Sequence, residues 1–407
     1  MWDGPTGTLT YSGLRVIELA QEPQGEIVGK LLADQGAEVI KVEPVGGSAG
    51  RHIGPWRDGH GGDPDHSLHF WTYNTGKRSV VLDAASESGR AARDRLIASA
   101  DVVITSASPA QLAAEGIDLN ELTEQHPELI ALSVSPFGLT GPWADRVTSD
   151  LVSLATGGIL MSCGYDDHEI PPIRPGGNQA FQIAASFGHS GLLLALIDRQ
   201  KTGRGQLVDV SMHEAIAVSG ELANPYWFYP RVLLQRQTCR HAQPSPTQPA
   251  LFECADGVQV YFALILSDPR TWRTLVEWLA TLGLDLDLGG EEYLSLAYRQ
   301  EHFAHIQTIM ESFFLMQDSA TVYAEAQARG LPLGPVLAPE DLVEDPHLRA
   351  REFFVPVEVP GSGTVEFAGA PYRFSYGTGQ PTSPPLLGAD TDAVLAAAER
   401  TAEVGAR

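Results

Sequence analysis

The strongest constraint on the fold is a regular alternation of short apolar runs and helix-patterned segments in the first third of the chain. Apolar residues of 25–35 recur at helical spacing, and Gly36 supplies a natural helix end. The runs predicted as strands are 14–19, 38–43, 79–82, 101–104 and 129–134, and further helices are predicted at 87–98 and 119–125. Strands alternating with helices at this spacing predict βαβ units and a parallel sheet with both faces covered.

We therefore predict an α/β fold with a Rossmann-like, doubly wound parallel sheet. The large domain is expected to comprise residues 1–220, completed by 340–407. From Ala250 the pattern changes to a hairpin around Asp256-Gly257 followed by helices, which predicts a second, smaller α+β domain at 225–335.

Two further segments of the large domain differ from the regular pattern. Residues 180–196 read as one long apolar helix, which we expect to be buried. Residues 44–66 are rich in Gly, Pro, Asp and His and predict a long ordered loop. Loops of that length are often functional.

The overall charge and the cysteines narrow the class of protein. The 407 residues have a formal net charge of −24, so we expect neither a nucleic acid nor a membrane as partner. Three cysteines without a CxxC pair predict no disulfide framework and fit a reducing compartment. The longest apolar run, Gly191–Ile197, is too short to span a bilayer, and the N-terminus shows no signal-peptide pattern. We predict a cytoplasmic protein.

One short motif suits an anionic ligand. Lys77 and Arg78 follow a glycine turn and precede a strand, within Asn74-Thr75-Gly76-Lys77-Arg78-Ser79. A guanidinium fork beside a lysine point charge fits a phosphate group, and a solvated basic loop is the alternative. The glycine-rich segment 46–50 lacks the spacing of a dinucleotide fingerprint and is better explained as a flexible loop.

Two other clusters are better explained by structure than by chemistry. Gly188-His189-Ser190-Gly191 lies inside a helical pattern, where small residues indicate close helix packing. The cluster Asp166-Asp167-His168-Glu169 has no further ligand at a helix-supported spacing, so a solvated turn is favoured. The sequence therefore predicts no metal site.

A set of segments, in order and in spacing, resembles the family III CoA-transferases, which include formyl-CoA transferase, carnitine CoA-transferases and α-methylacyl-CoA racemase. The matching segments are 13–43, 74–82, 135–142, Asp150 and 202–215. The resemblance implies an interlocked dimer and coenzyme A or acyl-CoA as substrate or ligand, with no tightly bound cofactor. Carried over by position, Arg51, Lys77 and Arg78 would face the CoA phosphates or adenine, and Asn74 would shape their loop.

The main departure from the family concerns its nucleophile. Family members carry an aspartate that becomes acylated, and counting back from Thr202-Gly203-Arg204-Gly205 places Phe181 at that position. A phenyl ring cannot form a mixed anhydride. The racemase branch also uses a histidine just before the residue matched by Asp150, where this chain has Ser149. The segment 105–114, which contacts CoA in family members, differs as well.

The residues 178–181 resemble the non-catalytic subunit type of succinyl-CoA:benzylsuccinate CoA-transferase. We therefore predict a non-catalytic CoA-transferase subunit, inactive alone, that forms a heterodimer with an aspartate-containing paralogue or a homodimer. Two alternatives stay open. One is a homodimeric acyl-CoA isomerase or lyase, for which Asp150, His189, His213 and Glu214 are weak catalytic candidates. The other is a non-catalytic acyl-CoA binding protein.

Overall fold

The computed structural model describes residues 9–220, 223–264, 266–375 and 377–405, with side chains described up to residue 400. The chain divides into two compact units. The first contains the residues up to Gly158, Gly176–Ser219 and the residues from Pro346 on. The second contains Ile159–Pro175 and Gly220–Asp345.

Residues 159–175 were predicted to belong to the large domain, but the structure groups them with the second unit. The reason is a set of hydrogen bonds to the strand region around residue 237. Asp166 N–H donates to Thr238 Oγ1 over 3.0 Å, and the Arg236 guanidinium donates to the carbonyls of His168 and Ile170.

The first unit opens with strands and helices in alternation. In chain order its elements are β1 (Arg15–Glu18), α1 (Pro23–Asp34), β2 (Glu38–Glu43), α2 (Leu68–Asn74), β3 (Arg78–Val81), α3 (Glu87–Ala98), β4 (Val102–Thr105), α4 (Pro109–Ala114), α5 (Leu119–Gln125), β5 (Ile130–Ser135), α6 (Asp150–Thr156), α7 (Gln179–Thr202), β6 (Leu207–Ser211) and α8 (Met212–Val218). Local signals explain several boundaries. Pro23 starts α1, the Ser86 hydroxyl accepts from Gly89 N–H at the start of α3, and Asp118 caps α5.

The central sheet has six strands in the order β3-β2-β1-β4-β5-β6, and every neighbouring pair is parallel. Successive residues of β1, such as Val16 and Ile17, point to opposite faces, and both are fully buried. The sheet is therefore covered on both sides, which confirms the predicted doubly wound α/β fold. The sixth strand, β6, was absent from the sequence prediction.

Helix α7 packs closely on the sheet along one face only. A Cβ added at Gly188 would lie 2.9 Å from Val134 Cγ2, so a glycine is needed at this contact. This confirms that the small residues mark close helix packing. The opposite face is exposed at Phe187, Leu194 and Ile197, with Leu194 at 69%. The prediction of a buried helix is thus right for one face and wrong for the other.

By length and composition, α7 is the one described helix that could cross a membrane. Its best window has a mean hydropathy of 1.5, and 33% of that window is buried. The core helix of a soluble protein meets the same test, and α7 makes a core contact with β5. The helix therefore gives only weak evidence for a membrane span.

The second unit combines small antiparallel sheets with helices. Its elements are α9 (Ala223–Phe228), β7 (Gln235–Gln237), β8 (Arg240–Gln243), β9 (Leu251–Glu253), β10 (Gln259–Phe262), α10 (Pro269–Ala280), α11 (Leu296–Glu301), α12 (Phe303–Leu315), α13 (Ser319–Ala328), β11 (Leu333–Pro335) and α14 (Pro339–Val343). The predicted hairpin is present as β9 and β10, which turn at Asp256-Gly257. The core of the second unit contains the buried side chains of Trp272, Trp278 and Phe313.

The C-terminal segment returns to the first unit. It forms α15 (Pro346–Ala350), the antiparallel pair β12 (Phe354–Val359) and β13 (Gly363–Ala368), and α16 (Thr391–Gly405). Val394 and Ala398 of α16 lie in the same apolar cluster as Leu96 of α3. This helix therefore covers part of one face of the central sheet.

Candidate functional site

The strand order creates a crevice at one edge of the sheet. Strands β1 and β4 are neighbours, with β2 and β3 on one side and β5 and β6 on the other. The chain reverses its direction of winding at this point, and such a switch point leaves a crevice outside the carboxyl ends of the two strands. The loops 19–22 and 106–108, which follow β1 and β4, form its walls. We refer to it as the switch-point crevice.

The two walls of the switch-point crevice are tied together by one hydroxyl. The backbone N–H groups of Gln21 and Glu22 donate to Ser106 Oγ over 3.1 and 3.2 Å. A Cβ added at Gly25 would lie 2.4 Å from Ala20 Cβ, so the start of α1 closely approaches the loop after β1. The crevice is therefore bounded by an ordered backbone.

The start of α1 at this crevice has features that suit a polar ligand. The 12-residue helix has no side-chain cap at Glu22, but Pro23 has no N–H, and the N–H groups of Gly25 and Glu26 donate to the carbonyl of Glu22. Gln24 is 1% exposed, and its Oε1 finds no hydrogen-bond partner among the described residues. Gln21 Oε1 is likewise buried without a partner there. Unpaired buried amide oxygens fit a ligand that brings hydrogen-bond donors.

A buried network of charges lies beneath the crevice. Lys41 Nζ contacts Glu18 Oε1 at 3.1 Å and Glu26 Oε1 at 2.8 Å, and it donates to the carbonyl of Ala20 over 2.8 Å. Lys77 Nζ contacts Glu18 Oε2 at 2.7 Å. All four side chains are 0% exposed. The network thus fixes the carbonyl at the start of the loop after β1.

The two lysines of the network differ in their affinity for a proton. Burial lowers the pKa of Lys41, but the carboxylates of Glu26 and Glu18 outweigh burial, so this pKa is raised overall. Burial dominates at Lys77 and lowers its pKa to about 8, against the raising effect of Glu18. Lys77 also donates to Asn74 Oδ1 and to the carbonyl of Glu26, each over 2.8 Å.

Arg51 occupies a separate buried cradle. Its Nε and Nη2 donate to the two oxygens of Glu43 over 2.7 and 2.8 Å, and its Nη1 donates to Asp65 Oδ1 over 3.0 Å. The guanidinium carbon lies 3.7 Å from the centre of the Phe70 ring. Burial would raise the pKa of Glu43, but the hydrogen bonds and charge of Arg51 outweigh it and lower that pKa to about 2.

This pKa predicts a specific pH dependence of stability. A carboxyl with a lowered folded-state pKa stabilises the fold above its unfolded-state pKa, which is 4.5 for this glutamate. That stabilisation is lost as the pH falls from 4.5 towards 2. Between pH 5 and pH 2.5, the free energy of unfolding of the wild type should fall by up to about 3 kcal/mol more than that of Glu43→Gln. Urea unfolding at a series of pH values measures both, and parallel pH profiles would contradict the assignment.

The structure does not bring the four predicted CoA contacts into one cluster. Asn74 and Lys77 meet beneath the crevice, whereas Arg51 lies in its own cradle. Arg78 is half-buried and pairs with Glu38 at 2.8 Å and Asp390 at 3.1 Å. Neighbouring residues at a strand point to opposite faces, so Lys77 and Arg78 do not present a joint phosphate site. Each of the three cations is already paired with a carboxylate, so none is left unpaired for a phosphate in this structure. Contact of these residues with CoA stays a prediction.

Phe181 lies in the first turn of α7 and is partly buried. The residue before that helix, Asn178, has φ 54°, and its side-chain amide donates to the Tyr73 hydroxyl over 3.0 Å. Asp150 is 3% exposed, and its Oδ1 accepts from Ala180 N–H over 2.8 Å. The Asp150 carboxylate therefore caps the start of α7, one residue from Phe181.

His189 lies on α7, nine residues after Ala180, which corresponds to a rise of about 13 Å along the helix. Its Nε2 is 3.1 Å from the Tyr11 hydroxyl, and burial lowers the pKa of its imidazole. Burial also raises the pKa of Tyr11 to about 12, and Tyr372 adds to this effect. Asp150 and His189 are thus too far apart along α7 to act as one acid–base pair.

The remaining catalytic candidates also have structural surroundings. The His213 ring lies 5.4 Å from that of Trp143 and 5.6 Å from that of Phe137, centre to centre. Glu214 is exposed, and its backbone N–H donates to Ser211 Oγ at the start of α8. His213 is therefore part of an aromatic cluster, and Glu214 belongs to the first turn of a short helix.

Sequence analysis missed the residues that form the crevice itself, namely Gln21, Glu22, Gln24 and Ser106. The available signal was their position directly after β1 and β4, but the strand order that makes these two loops neighbours is not written in any local pattern. Asp145, which accepts from Ala110 N–H over 2.7 Å at the start of α4, was missed for the same reason.

The second unit contains a separate cavity of about 680 Å³. Apolar walls from Leu264, Leu296 and Ala297 face polar groups of Gln243, Gln300 and Arg240. The Arg240 guanidinium donates to Asp166 Oδ1 over 2.6 Å and is therefore already paired. The cavity is large enough for a small organic group, and its lining also includes Arg299, whose guanidinium donates to the carbonyls of Tyr293 and Leu266.

Comparisons with known proteins agree with this fold. The family model described as CoA-transferase family III matches residues 11–391. The BbsE subunit of succinyl-CoA:(R)-benzylsuccinate CoA-transferase from Thauera aromatica is 32% identical over 369 residues, which cover 89% of this chain and 88% of that protein. A succinate–glutarate CoA-transferase of Agrobacterium fabrum is 31% identical over 369 residues, with 90% and 89% coverage.

Among solved structures, a CAIB/BAIF family protein from Brucella suis has a TM-score of 0.83 and 27% sequence identity. The match covers 96% of this chain and 100% of that one. These findings confirm the resemblance noted in the sequence, and members of the family act on CoA thioesters. Because the family model spans residues 11–391 and relatives above 30% identity cover most of the chain, this protein belongs to CoA-transferase family III.

Proposed function

We propose that this chain is the non-catalytic subunit of a heteromeric acyl-CoA:carboxylate CoA-transferase. The observation that carries the proposal is Phe181 in the first turn of α7, at the position where the family resemblance places the acylated aspartate. The relative from Thauera aromatica is a CoA-transferase subunit, which supports a subunit role for this chain.

Nucleophilic catalysis by this family requires a carboxylate that attacks the thioester, so that one acyl transfer is divided into two easier steps. Asp150 could supply a carboxylate near the start of α7, but its Oδ1 accepts from Ala180 N–H and the group is buried. A paralogue that retains the aspartate would therefore perform the covalent step. This chain would contribute the scaffold and the walls of the shared site.

The surface of α7 supports assembly with a second chain. Its exposed face carries Phe187, Leu194 and Ile197 at helical spacing, and a monomer would leave these side chains in water. We propose that a second family III chain covers this face in a cytoplasmic, interlocked dimer. Such an interface would be expected to bury more than the standard area of about 1,600 Å².

We further propose that the switch-point crevice receives the CoA moiety. The unpaired side-chain oxygens of Gln21 and Gln24 support this placement. The buried lysines contribute indirectly, because Lys41 positions the carbonyl of Ala20 and hence the loop. Both lysines of the described network are already paired with carboxylates and do not contact a phosphate in this arrangement. We therefore expect modest affinity for CoA.

Filling the crevice should weaken CoA binding. Glu22 lies in the loop after β1 and is exposed, so Glu22→Trp places an indole at the mouth of the crevice without opening a core cavity. We expect the Kd for CoA, measured by calorimetry, to rise at least about tenfold, which corresponds to about 1.4 kcal/mol. Ala91→Trp, at an exposed position of α3, is the matched control and should bind as the wild type does. Equal Kd values for both variants would place CoA elsewhere.

The subunit proposal is tested by mixing experiments. The chain, an aspartate-bearing family III protein encoded beside it, and their mixture are assayed for CoA transfer between carboxylic acids. Activity of the mixture that exceeds the sum of the separate chains supports the proposal. A homodimer that converts an acyl-CoA without transfer would instead favour an isomerase or lyase.

A further inference from the structure

The loop that follows the helical turn at Ala49–His52 and precedes α2 contains a closed segment with its own hydrogen bonds. Trp56 and Ser67 form an antiparallel bridge, and Arg57 N–H donates to the carbonyl of His66 over 2.9 Å. Leu68 N–H also donates to the carbonyl of Pro55. These contacts close the base of residues 57–66, and we call this segment the histidine loop. The proposed transferase function does not use it.

Within the histidine loop, three turns follow one another at a period of three residues. His60 N–H donates to the carbonyl of Arg57, Asp63 N–H to that of His60, and His66 N–H to that of Asp63, each over 3.0 Å. Side chains three residues apart eclipse one another when the backbone bonds have this spacing. His60, Asp63 and His66 therefore share one side of the loop.

Their potential ligand atoms converge. One nitrogen from each histidine and one oxygen of Asp63 lie within 4.8 Å of one another. His66 Nδ1 is 2.9 Å from Asp63 Oδ2, and His60 Nδ1 is 4.0 Å from the same oxygen. The imidazole rings of His60 and His66 are stacked, with centres 3.7 Å apart. Two ligands about 2.05 Å from one metal ion lie roughly 2.9 Å apart at a right angle and roughly 3.3 Å apart in a tetrahedron, so the contact between His66 and Asp63 already fits. The in-plane lone pairs of two stacked rings run parallel, so the His60 ring must rotate out of the stack and approach Asp63 for both imidazoles to bind one ion.

The carboxylate of Asp63 is oriented for this role. Its Oδ1 accepts from Asp65 N–H over 3.0 Å, which directs Oδ2 towards the histidines. His66 is 8% exposed, whereas the side chains of His60 and Asp63 are 37% and 42% exposed. A metal ion could thus enter from solvent and rest on a buried imidazole.

We propose that His60, Asp63 and His66 form a binding site for a divalent transition-metal ion of the zinc type. Two imidazoles and one carboxylate are ligands that Zn²⁺ takes readily, and Mg²⁺ and Ca²⁺ prefer all-oxygen sites. Water completes the coordination on the exposed side. Binding through Nδ1 requires the His66 tautomer that carries its proton on Nε2, because the Nδ1 lone pair is needed for the metal.

The role of the site is to hold the histidine loop in place. Asp65 lies inside the loop, and its Oδ1 accepts from Arg51 Nη1 and from Leu387 N–H. A metal ion at the neighbouring ligands would therefore also restrain one carboxylate of the Arg51 cradle and the contact with the C-terminal segment. This role is independent of the proposed transferase function.

Calorimetric titration of the full-length, tag-free, metal-stripped chain with Zn²⁺ tests the proposal. We expect one equivalent to bind per chain and the melting temperature to rise. His60→Ala and Asp63→Asn should each weaken binding at least about tenfold, since a lost ligand costs no less than the loss of an outer-shell partner. His52→Ala removes an exposed histidine of the neighbouring segment and should bind Zn²⁺ as the wild type does.

Circular dichroism first verifies that each variant folds, and Asp63→Asn is chosen because it keeps the side-chain size. Absence of stoichiometric Zn²⁺ binding by the wild type overturns the proposal whatever the variants do. Binding that survives both His60→Ala and Asp63→Asn also overturns it, because other histidines would then be the ligands. An equal stabilisation by Mg²⁺ would indicate an oxygen site and would equally contradict the assignment.

Discussion

Purified alone, this chain is expected to transfer no CoA between carboxylic acids and to form no covalent acyl adduct. Phe181 has no group that can attack a thioester, and Asp150 is buried and bonded to Ala180 N–H. Incubation with acyl-CoA, followed by trapping with hydroxylamine or borohydride and mass spectrometry of the peptides, measures the adduct directly. The mixture with an aspartate-bearing paralogue should yield an adduct on the paralogue only.

Phe181→Asp is expected to leave the isolated chain inactive. The new carboxylate would lie one residue from Ala180, whose N–H already donates to Asp150. When two carboxylates lie close together, their repulsion raises the pKa of one of them. A nucleophile misplaced by about 1 Å can also lose roughly a hundredfold in rate. Phe181→Leu is the matched control for the mixture, which should keep its activity because no carboxylate is introduced. Robust transfer by the wild-type chain alone, with an adduct at Asp150 or elsewhere, would refute the subunit proposal.

Lys77→Ala should destabilise the first unit severely. Removal of the ammonium leaves Glu18 with Lys41 as its remaining cationic partner and leaves Asn74 Oδ1 without its donor, in a region that is 0% exposed. Breaking a buried ion pair by removing one partner costs about 3–5 kcal/mol. We expect a loss of that size in the free energy of unfolding, measured by urea denaturation at pH 7.

The adjacent Arg78→Ala is the control for this prediction. Arg78 is partly exposed, and its partners Glu38 and Asp390 are 37% and 28% exposed. Exposed pairs contribute about 0–1 kcal/mol each, so this variant should lose far less stability than Lys77→Ala. Similar losses for the two variants would show that the buried network does not stabilise the fold as proposed.

Local patterns were sufficient for several elements. The predicted bounds of β2, α3 and α5 agree with the structure, because caps and apolar spacing are properties of the segment itself. The family was also predictable, since its motifs follow one another in order along the chain, and the comparisons confirm it. Counting from the Thr202 motif places Phe181 at the position of the family nucleophile, and this assignment stays a prediction.

The environment of the predicted cations was not predictable from the motif alone. Lys77 and Arg78 looked like a joint phosphate site, but strand alternation sends them to different faces. That signal was present in the sequence, because β3 follows the motif directly. The pairing of these cations with carboxylates could not be predicted from the motif, since Glu18 is 59 residues from Lys77 and Asp390 is 312 residues from Arg78.

The sequence by itself thus determined several helices and strands, among them β2, α3 and α5, and the membership in CoA-transferase family III, and it predicted Phe181 at the position of the nucleophile. These depend on neighbouring residues or on residue identity. Only the tertiary structure decided that the loops after β1 and β4 form one crevice, that one face of α7 stays exposed, and that His60, Asp63 and His66 converge. Each depends on strand order, packing or turn geometry, which bring together atoms whose distances no local sequence pattern specifies.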